Sequence, residues 1–159
     1  MKKIMVFSDS HGYLENMITA IETHSPDMVI HLGDCYADGQ TLKRIFPDLT
    51  IEQVPGNCDY HEEALERILI IEGKRILICH GHTYHVKSGY LNIQYAALEK
   101  QADAVLFGHT HQAHYGCHNG LVMLNPGTVG YTVMKEASYG WLYIDSENDK
   151  ISVQVEFLE

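Results

Sequence analysis

With 159 residues the chain has the length of one domain, enough to bury well over half of its unfolded surface in a single core. Eleven Lys and Arg against twenty-one Asp and Glu leave a formal charge of −10, which argues against a duplex-binding face and against long nucleic acids as substrates. No run approaches the roughly eighteen consecutive apolar residues of a membrane helix. Cys35, Cys58, Cys79 and Cys117 form neither a C-x-x-C pair nor a compact framework, so the expectation is a reduced, cytoplasmic protein without a membrane partner.

The first apolar run, Ile4-Met5-Val6-Phe7, reads as a buried strand and ends in Ser8-Asp9-Ser10-His11-Gly12. Its carboxyl end puts Asp9 and His11 at the rim of a sheet, where open α/β folds place ligands. Between Tyr13 and His24, Leu14, Met17, Ile18 and Ile21 recur at helical spacing, and Pro26 stops the helix. A second strand from Met28 to Leu32 completes a βαβ unit and runs into Gly33-Asp34. Next comes a shorter helix from Asp38 to Phe46, with Leu42, Ile45 and Phe46 on its apolar side and Pro47 closing it. The strand Thr50 to Val54 ends at Pro55-Gly56, a turn signal that lifts Asn57 out of the ladder.

In the second half, residues 62–67 read as a helical turn, and Ile68 to Ile71 and Arg75 to Cys79 flank Glu72-Gly73-Lys74 as a hairpin that leads into His80-Gly81-His82. Ser88 to Gln101 reads as a helix with Leu91, Tyr95 and Leu98 spaced four and three apart, and Val105 to Phe107 as a strand ending in Gly108-His109-Thr110-His111. From His114 the pattern is strand and turn: Tyr115 to Cys117, His118-Asn119-Gly120, Leu121 to Leu124, then Tyr139 to Ile144 and Ile151 to Phe157. Helices separate the early strands and strands follow strands later. The expectation is an α/β domain over residues 1–159, with two mixed sheets face to face and helices outside.

Five strand ends thus carry Asp9, His11, Asp34, Asn57, His80, His109 and His111. A structural zinc site is satisfied by four ligands, often thiolates, so seven point to two ions with one ligand shared. Carboxylate mixed with imidazole suits Mn, Fe, Zn or Ni. A carboxylate can bridge two cations where an imidazole normally serves one, which leaves Asp9 or Asp34 as the bridge. Two divalent ions against two carboxylates leave about +2, or +1 with a bound hydroxide. Such a centre attracts phosphate and holds a nucleophile for in-line hydrolysis.

Asp9-Ser10-His11, Gly33-Asp34, Gly56-Asn57-Cys58-Asp59, His80-Gly81-His82 and Gly108-His109-Thr110-His111 together resemble the calcineurin-like metallophosphoesterase superfamily. The likeness is strongest to its small bacterial and archaeal phosphodiesterase branch, related to the phosphoesterase-like subunit of retromer. The resemblance implies a four-layer α/β/β/α sandwich of the metallo-dependent phosphatase kind, with a binuclear centre that most often holds manganese and otherwise Zn2+, Ni2+ or Fe2+. It implies that Asp9, His11 and His111 hold one ion, Asn57, His80 and His109 the other, and that Asp34 bridges. The activity implied is hydrolysis of small phosphodiesters by a metal-bound hydroxide. The alternatives are a phosphomonoesterase and a non-catalytic interaction scaffold, and an exposed sheet edge or helix face could support a homo-oligomer.

Many members of that superfamily have His where this chain has Cys58, and that His is the usual proton donor to the leaving group. General acid assistance contributes about 10²–10⁴-fold, so its loss favours esters with good leaving groups. Cys58 stands as a candidate thiol acid, against the plainer reading of a small residue at the rim. His82 is a candidate for facing phosphate or orienting a ligand, against an ordinary loop histidine. His24, His31, His61, His85, His114 and His118 lie in contexts that do not favour ligation. Asn125-Pro126-Gly127-Thr128 is similar to the family's Asn-Pro-Gly-Ser segment and reads as a tight turn bracing the metal loops.

Overall fold

Along β1 (Lys2–Phe7) every second side chain joins a different core: Ile4 and Val6 pack in one apolar cluster, Met5 and Phe7 in another. A strand apolar on both faces must be covered on both, and this sets the layering. The computed structural model describes residues 1–60, 63–130 and 136–158. One sheet has the order β10-β9-β1-β2-β3, from β10 (Lys150–Phe157), β9 (Ser138–Asp145), β1, β2 (Met28–His31) and β3 (Thr50–Gln53). The other has the order β4-β5-β6-β8-β7, from β4 (Glu66–Ile71), β5 (Lys74–Cys79), β6 (Ala104–Leu106), β8 (Leu121–Asn125) and β7 (His114–His118). Both are mixed: β1, β2 and β3 run parallel, as do β5, β6 and β8, while β9 pairs antiparallel with β1 and β10, β4 with β5, and β7 with β8.

Between the sheets lie Ile4, Val6, Ile30, Ile76, Ile78, Leu106 and Leu142. On the far side of the first sheet, α1 (Glu15–His24) and α2 (Tyr36–Ile45) bring Met17, Ile21 and Leu42 against Met5, Phe7, Val29 and Ile51. On the far side of the second, α3 (Leu91–Glu99) brings Ile93 and Ala97 against Leu77, Val105 and Met123. The result is the α/β/β/α sandwich. Each large apolar side chain so buried contributes roughly 1.5–3 kcal/mol over leaving it exposed.

Several local expectations are corrected. Helix α3 turns Ile93, Ala96 and Ala97 inward, and Leu91, Tyr95 and Leu98 are exposed. Small alanines let the helix approach the sheet closely, a gain that counting large apolar residues misses. Ile45 is likewise exposed; α2 does turn Leu42 inward, but with Tyr36 and Gly39 rather than Ile45, and it starts two residues before Asp38. Glu66 and Arg67 extend β4 rather than closing a helical turn, because Glu66 pairs in register with Cys79 and Arg67 with Ile78. Glu62, where that turn was placed to begin, lies outside the described residues. After β5, residues 82–84 and 86–88 form two short 3₁₀ turns.

Candidate metal centre

The seven residues singled out in the sequence all follow carboxyl ends of strands. Asp9 and His11 follow β1, Asp34 follows β2, Asn57 lies in the loop after β3, His80 follows β5, and His109 and His111 follow β6. Backbone bonds draw these loops together. The Asp9 N–H donates to the Gly33 carbonyl (2.9 Å), that of His11 to the Asp34 carbonyl (3.0 Å), and that of Gly108 to the His80 carbonyl (2.8 Å). Across the sheets, His80 Nδ1 lies 2.8 Å from the Leu32 carbonyl. Five of the seven adopt left-handed backbone: Asp9 (φ 56°), His11 (48°), Asp34 (46°), His109 (73°) and His111 (61°). Such non-glycine conformations cost energy and concentrate where surrounding structure enforces a functional geometry.

The centre is built around the Asp9 carboxylate, which is fully buried. Its Oδ2 accepts the Ser8 hydroxyl (2.6 Å) and the His109 N–H (3.2 Å). Its Oδ1 faces Nε2 of His111 (3.1 Å), His11 (3.6 Å) and His80 (3.7 Å) and has no hydrogen-bond partner. Asp34 Oδ2 lies 3.4 Å from His80 Nε2, and its Oδ1 accepts the Cys58 N–H at 2.9 Å. His109 Nδ1 comes within 3.3 Å of His80 Nε2. Two groups of ligating atoms, each within 4.8 Å of one another, result: Asp9 with His11 and His111, and Asp9 with Asp34 and His80. Asp9 is common to both, and Asp34 joins it in the second.

Electrostatics follow the geometry. Burial pushes the Asp9 carboxyl up, but its contacts with His11, His111, His80 and Ser8 outweigh that and hold it well below the usual carboxylate range. Asp34 is brought down to about 2 against its burial, chiefly by His80 and then by the Cys58 N–H. The Asp9 contact raises His11; burial opposes but does not prevent a similar rise of His80, driven by Asp34 and Asp9. Burial, with His80 adding, lowers His109 to about 4 and also lowers His82.

These residues fit divalent cations. A buried carboxylate oxygen with no donor of its own, ringed by three imidazole nitrogens, is a costly arrangement that a cation satisfies. In neutral His80, Nδ1–H donates to the Leu32 carbonyl and leaves the Nε2 lone pair facing Asp9 and Asp34. Carboxylate and imidazole without thiolate suit Mn, Fe, Zn or Ni.

The sequence reading missed the residues that hold this centre in place. Besides Ser8, a chain of buried groups underlies the first two loops: the Gly33 N–H donates to His31 Nδ1 (3.1 Å), His31 Nε2–H to Ser10 Oγ (2.9 Å), and the Ser10 hydroxyl to Asp38 Oδ2 (2.6 Å). Asp38 Oδ2 also accepts the Gly12 N–H at 2.7 Å. Asp59 clamps the third loop to the second through the backbone of Asp34, Gly56 and Tyr36. The Asn125 to Thr128 turn does brace the centre: Asn125 Nδ2 donates to the Gly108 carbonyl (3.2 Å) and to Thr110 Oγ1 (2.8 Å), and Thr128 Oγ1 donates to the Asp9 carbonyl (2.7 Å). The signal available was position: Asp38 stands in the first turn of the helix that follows Asp34, and Asp59 two residues beyond Asn57 in a loop already marked.

Asn57 is exposed, and its side-chain amide touches Cys58 Sγ at 3.7 Å. Cys58 is exposed too, and partial burial with the nearby Asp34 raises its thiol above the ordinary range, so it stays protonated at neutral pH. The His82 ring is half-buried, 5.6 Å from that of His80 and 6.1 Å from that of His109, and its buried Nδ1 has no partner. His31 belongs to the supporting chain of bonds rather than to the ligating cluster, His24 packs edge-on to Trp141, and His114 stacks on His118.

Comparison with known proteins agrees with this construction. Residues 1–147 match the calcineurin-like phosphoesterase superfamily domain, and the chain belongs to that family. It is 35% identical over 156 residues to a probable metallophosphoesterase, YsnB, of Bacillus subtilis, covering 95% of this chain and 88% of that one. In fold it is similar to an archaeal phosphodiesterase (TM-score 0.73, 23% identity, 97% of this chain and 99% of the other). It is also similar to Vps29 of Entamoeba histolytica solved with zinc (TM-score 0.75, 17% identity, 98% of each chain). Family membership supports metal-dependent phosphoester hydrolysis, and the chain has candidate ligands for divalent ions in Asp9, His11, Asp34, His80 and His111. Among the described residues no helix is long and apolar enough to cross a membrane.

Proposed function

We propose that this chain is a phosphodiesterase acting on small phosphodiesters with two divalent ions, manganese first and zinc, nickel or iron as alternatives. The observation that carries this reading is Asp9 Oδ1, a buried acceptor without a donor that belongs to both ligating groups. In this reading Asp9, His11 and His111 hold one ion and Asn57, His80 and His109 the other, with the carboxylates of Asp9 and Asp34 between them. When bound, such ions offset phosphate charge and supply a hydroxide nucleophile at neutral pH.

The chain's own residues do the positioning. Ser8 and the His109 N–H fix one Asp9 oxygen so that the other faces the imidazoles. His82, neutral because burial and His80 disfavour its proton, offers a ring N–H to a phosphate oxygen beside His80 and His109. Cys58 keeps its proton at the rim and is a weak acid, so the site gives a poor leaving group little help. A diester carries one negative charge where a monoester carries nearly two, and an activated diester needs little protonation on departure. Four free cysteines fit the reducing cytoplasm as the working compartment.

The test is kcat/KM for bis(p-nitrophenyl) phosphate against p-nitrophenyl phosphate on the manganese-loaded protein, since that ratio reports discrimination at the transition state. The diester should be the better substrate. A strong monoester preference would overturn the phosphodiesterase reading and leave the family assignment standing.

A further inference from the structure

Beside His111, where the start of β7 meets the start of β9 and the end of β10, a cleft of about 640 Å³ is lined by Tyr90, His111, Gln112, His114, Glu136 and Phe157. It is far larger than a phosphate requires and lies within the range of small-molecule pockets, about 300–1,000 Å³. Because His111 is both a member of the ligating cluster and part of this lining, a phosphoryl group held at the centre has one ester arm next to the cleft.

The lining selects the chemistry of that arm. Tyr90 and His114 present a ring pair with centroids 4.7 Å apart, and Phe157 is 56% exposed. Aromatic surface of this kind favours a flat partner. Two of the polar groups, Glu136 and Ser138, are acceptors. Glu136 is a carboxylate, and the Ser138 hydroxyl in the same lining already donates to the Pro126 carbonyl (2.6 Å), so it can only accept. His114 Nε2 is buried with no partner, and a buried polar atom left this way favours a ligand that completes it. Acceptors call for a ligand that donates N–H, and the Glu136 carboxylate disfavours a second anionic group. A plain aryl or alkyl arm leaves the acceptors unused, whereas a nucleobase has both a flat face and N–H donors.

We propose that this cleft is a nucleoside subsite, so that the preferred substrate is a nucleotide phosphodiester whose base sits on the Tyr90, His114 and Phe157 lining. The proposal rests on the phosphodiesterase reading, and the test separates the two. Three diesters with the same p-nitrophenolate leaving group are compared on the manganese-loaded protein, their other arms being methyl, phenyl and thymidine. The thymidine ester should exceed the methyl ester in kcat/KM by about tenfold or more, carried mainly by KM, as stacking of a base predicts. The phenyl ester should fall between, and methylation of the thymine N3 should lower the thymidine value. In Phe157→Ala and His114→Leu the thymidine-to-methyl ratio should collapse toward one. Equal rates for the three arms would overturn the proposal, as would a thymidine preference that survives both substitutions. If no diester turns over, calorimetric titration of the loaded protein with thymidine 5′-monophosphate and methyl phosphate decides. Tighter nucleotide binding, lost in both variants, keeps the subsite while the diesterase reading falls; equal affinities remove the subsite as well.

Discussion

Asp59 lies 25 residues beyond Asp34, yet its Oδ2 accepts the Asp34 backbone N–H at 2.9 Å. The same oxygen accepts the Gly56 N–H (2.8 Å), and Oδ1 accepts that of Tyr36 (2.9 Å). One carboxylate therefore fixes the height of Asp34 in the centre and the path of the loop that carries Asn57. An amide at this position presents N–H groups to N–H groups on one side. Asp59→Asn should lower manganese affinity by about 10–100-fold, as loss of a group that orients a ligand does. It should also cost about 1–3 kcal/mol in urea unfolding through unsatisfied backbone donors. Unchanged affinity in calorimetry would show that Asp34 holds its place without the clamp.

The ligating cluster itself makes a second prediction. Asp34→Asn should impair manganese binding and hydrolysis more than His82→Ala, because the carboxylate faces His80 inside the cluster and His82 stands beside it. Manganese at 100 times its Kd should add about 2.7 kcal/mol of stability to the unmodified protein, and chelation should remove it. A thermal melt that does not respond to manganese, in a protein that otherwise folds, would count against the site.

Much of this was legible in the sequence because a strand buried on both faces reads as an unbroken apolar run. Ile4 to Phe7 and Ile76 to Cys79 show it, and each ends abruptly in ligating residues. The face of α3 was not legible: Leu91, Tyr95 and Leu98 share a stripe that competes with Ile93, Ala96 and Ala97, and only contact with β6 and β8 decides between them. Nor were the supports, since Ser10, His31 and Asp38 meet only after two loops converge. Asp and His adopt left-handed backbone more readily than other non-glycine residues, but that preference alone does not place it at Asp9, His11, Asp34, His109 and His111 together. The cleft beside His111 draws on α3's lead-in, β7, β9 and β10, segments far apart in the chain.

Gly108 tests how tightly the centre is packed. A Cβ there would overlap Ser8 Oγ and lie 2.9 Å from Asp9 Oδ2, so one methyl group must displace the hydroxyl that fixes the Asp9 carboxylate. Gly108→Ala should destabilise by roughly 1–3 kcal/mol and weaken manganese binding. The combination with Ser8→Gly, which removes the overlapped atoms, should be less damaging than the sum of the two single changes. Additive losses in the double variant would mean that the overlap is relieved elsewhere.

The final prediction concerns acid stability and His31. Fully buried, this ring is held down to about 4, burial outweighing the pull of Asp38, whereas in the unfolded chain it takes its proton near pH 6.5. Between these values the unfolded state binds a proton that the native state does not. The contribution is therefore present in full above about pH 6.5 and is lost as the pH falls toward 4, by on the order of 3 kcal/mol. Its structural basis is the neutral tautomer, with Nδ1 accepting from Gly33 and Nε2–H donating to Ser10. Gln at this position is neutral throughout, so His31→Gln should show a flatter decline over the same window. Urea unfolding at pH 4.5, 5.5, 6.5 and 8 in the presence of a chelator makes the comparison, because the other ionisable groups are common to both proteins and metal release does not enter. The advantage of the unmodified protein over the variant should shrink steadily as the pH falls from 6.5. A difference that stays constant across the series would show that His31 takes its proton as readily inside the fold as outside it, and that its Nδ1 is not held as the acceptor of the Gly33 N–H.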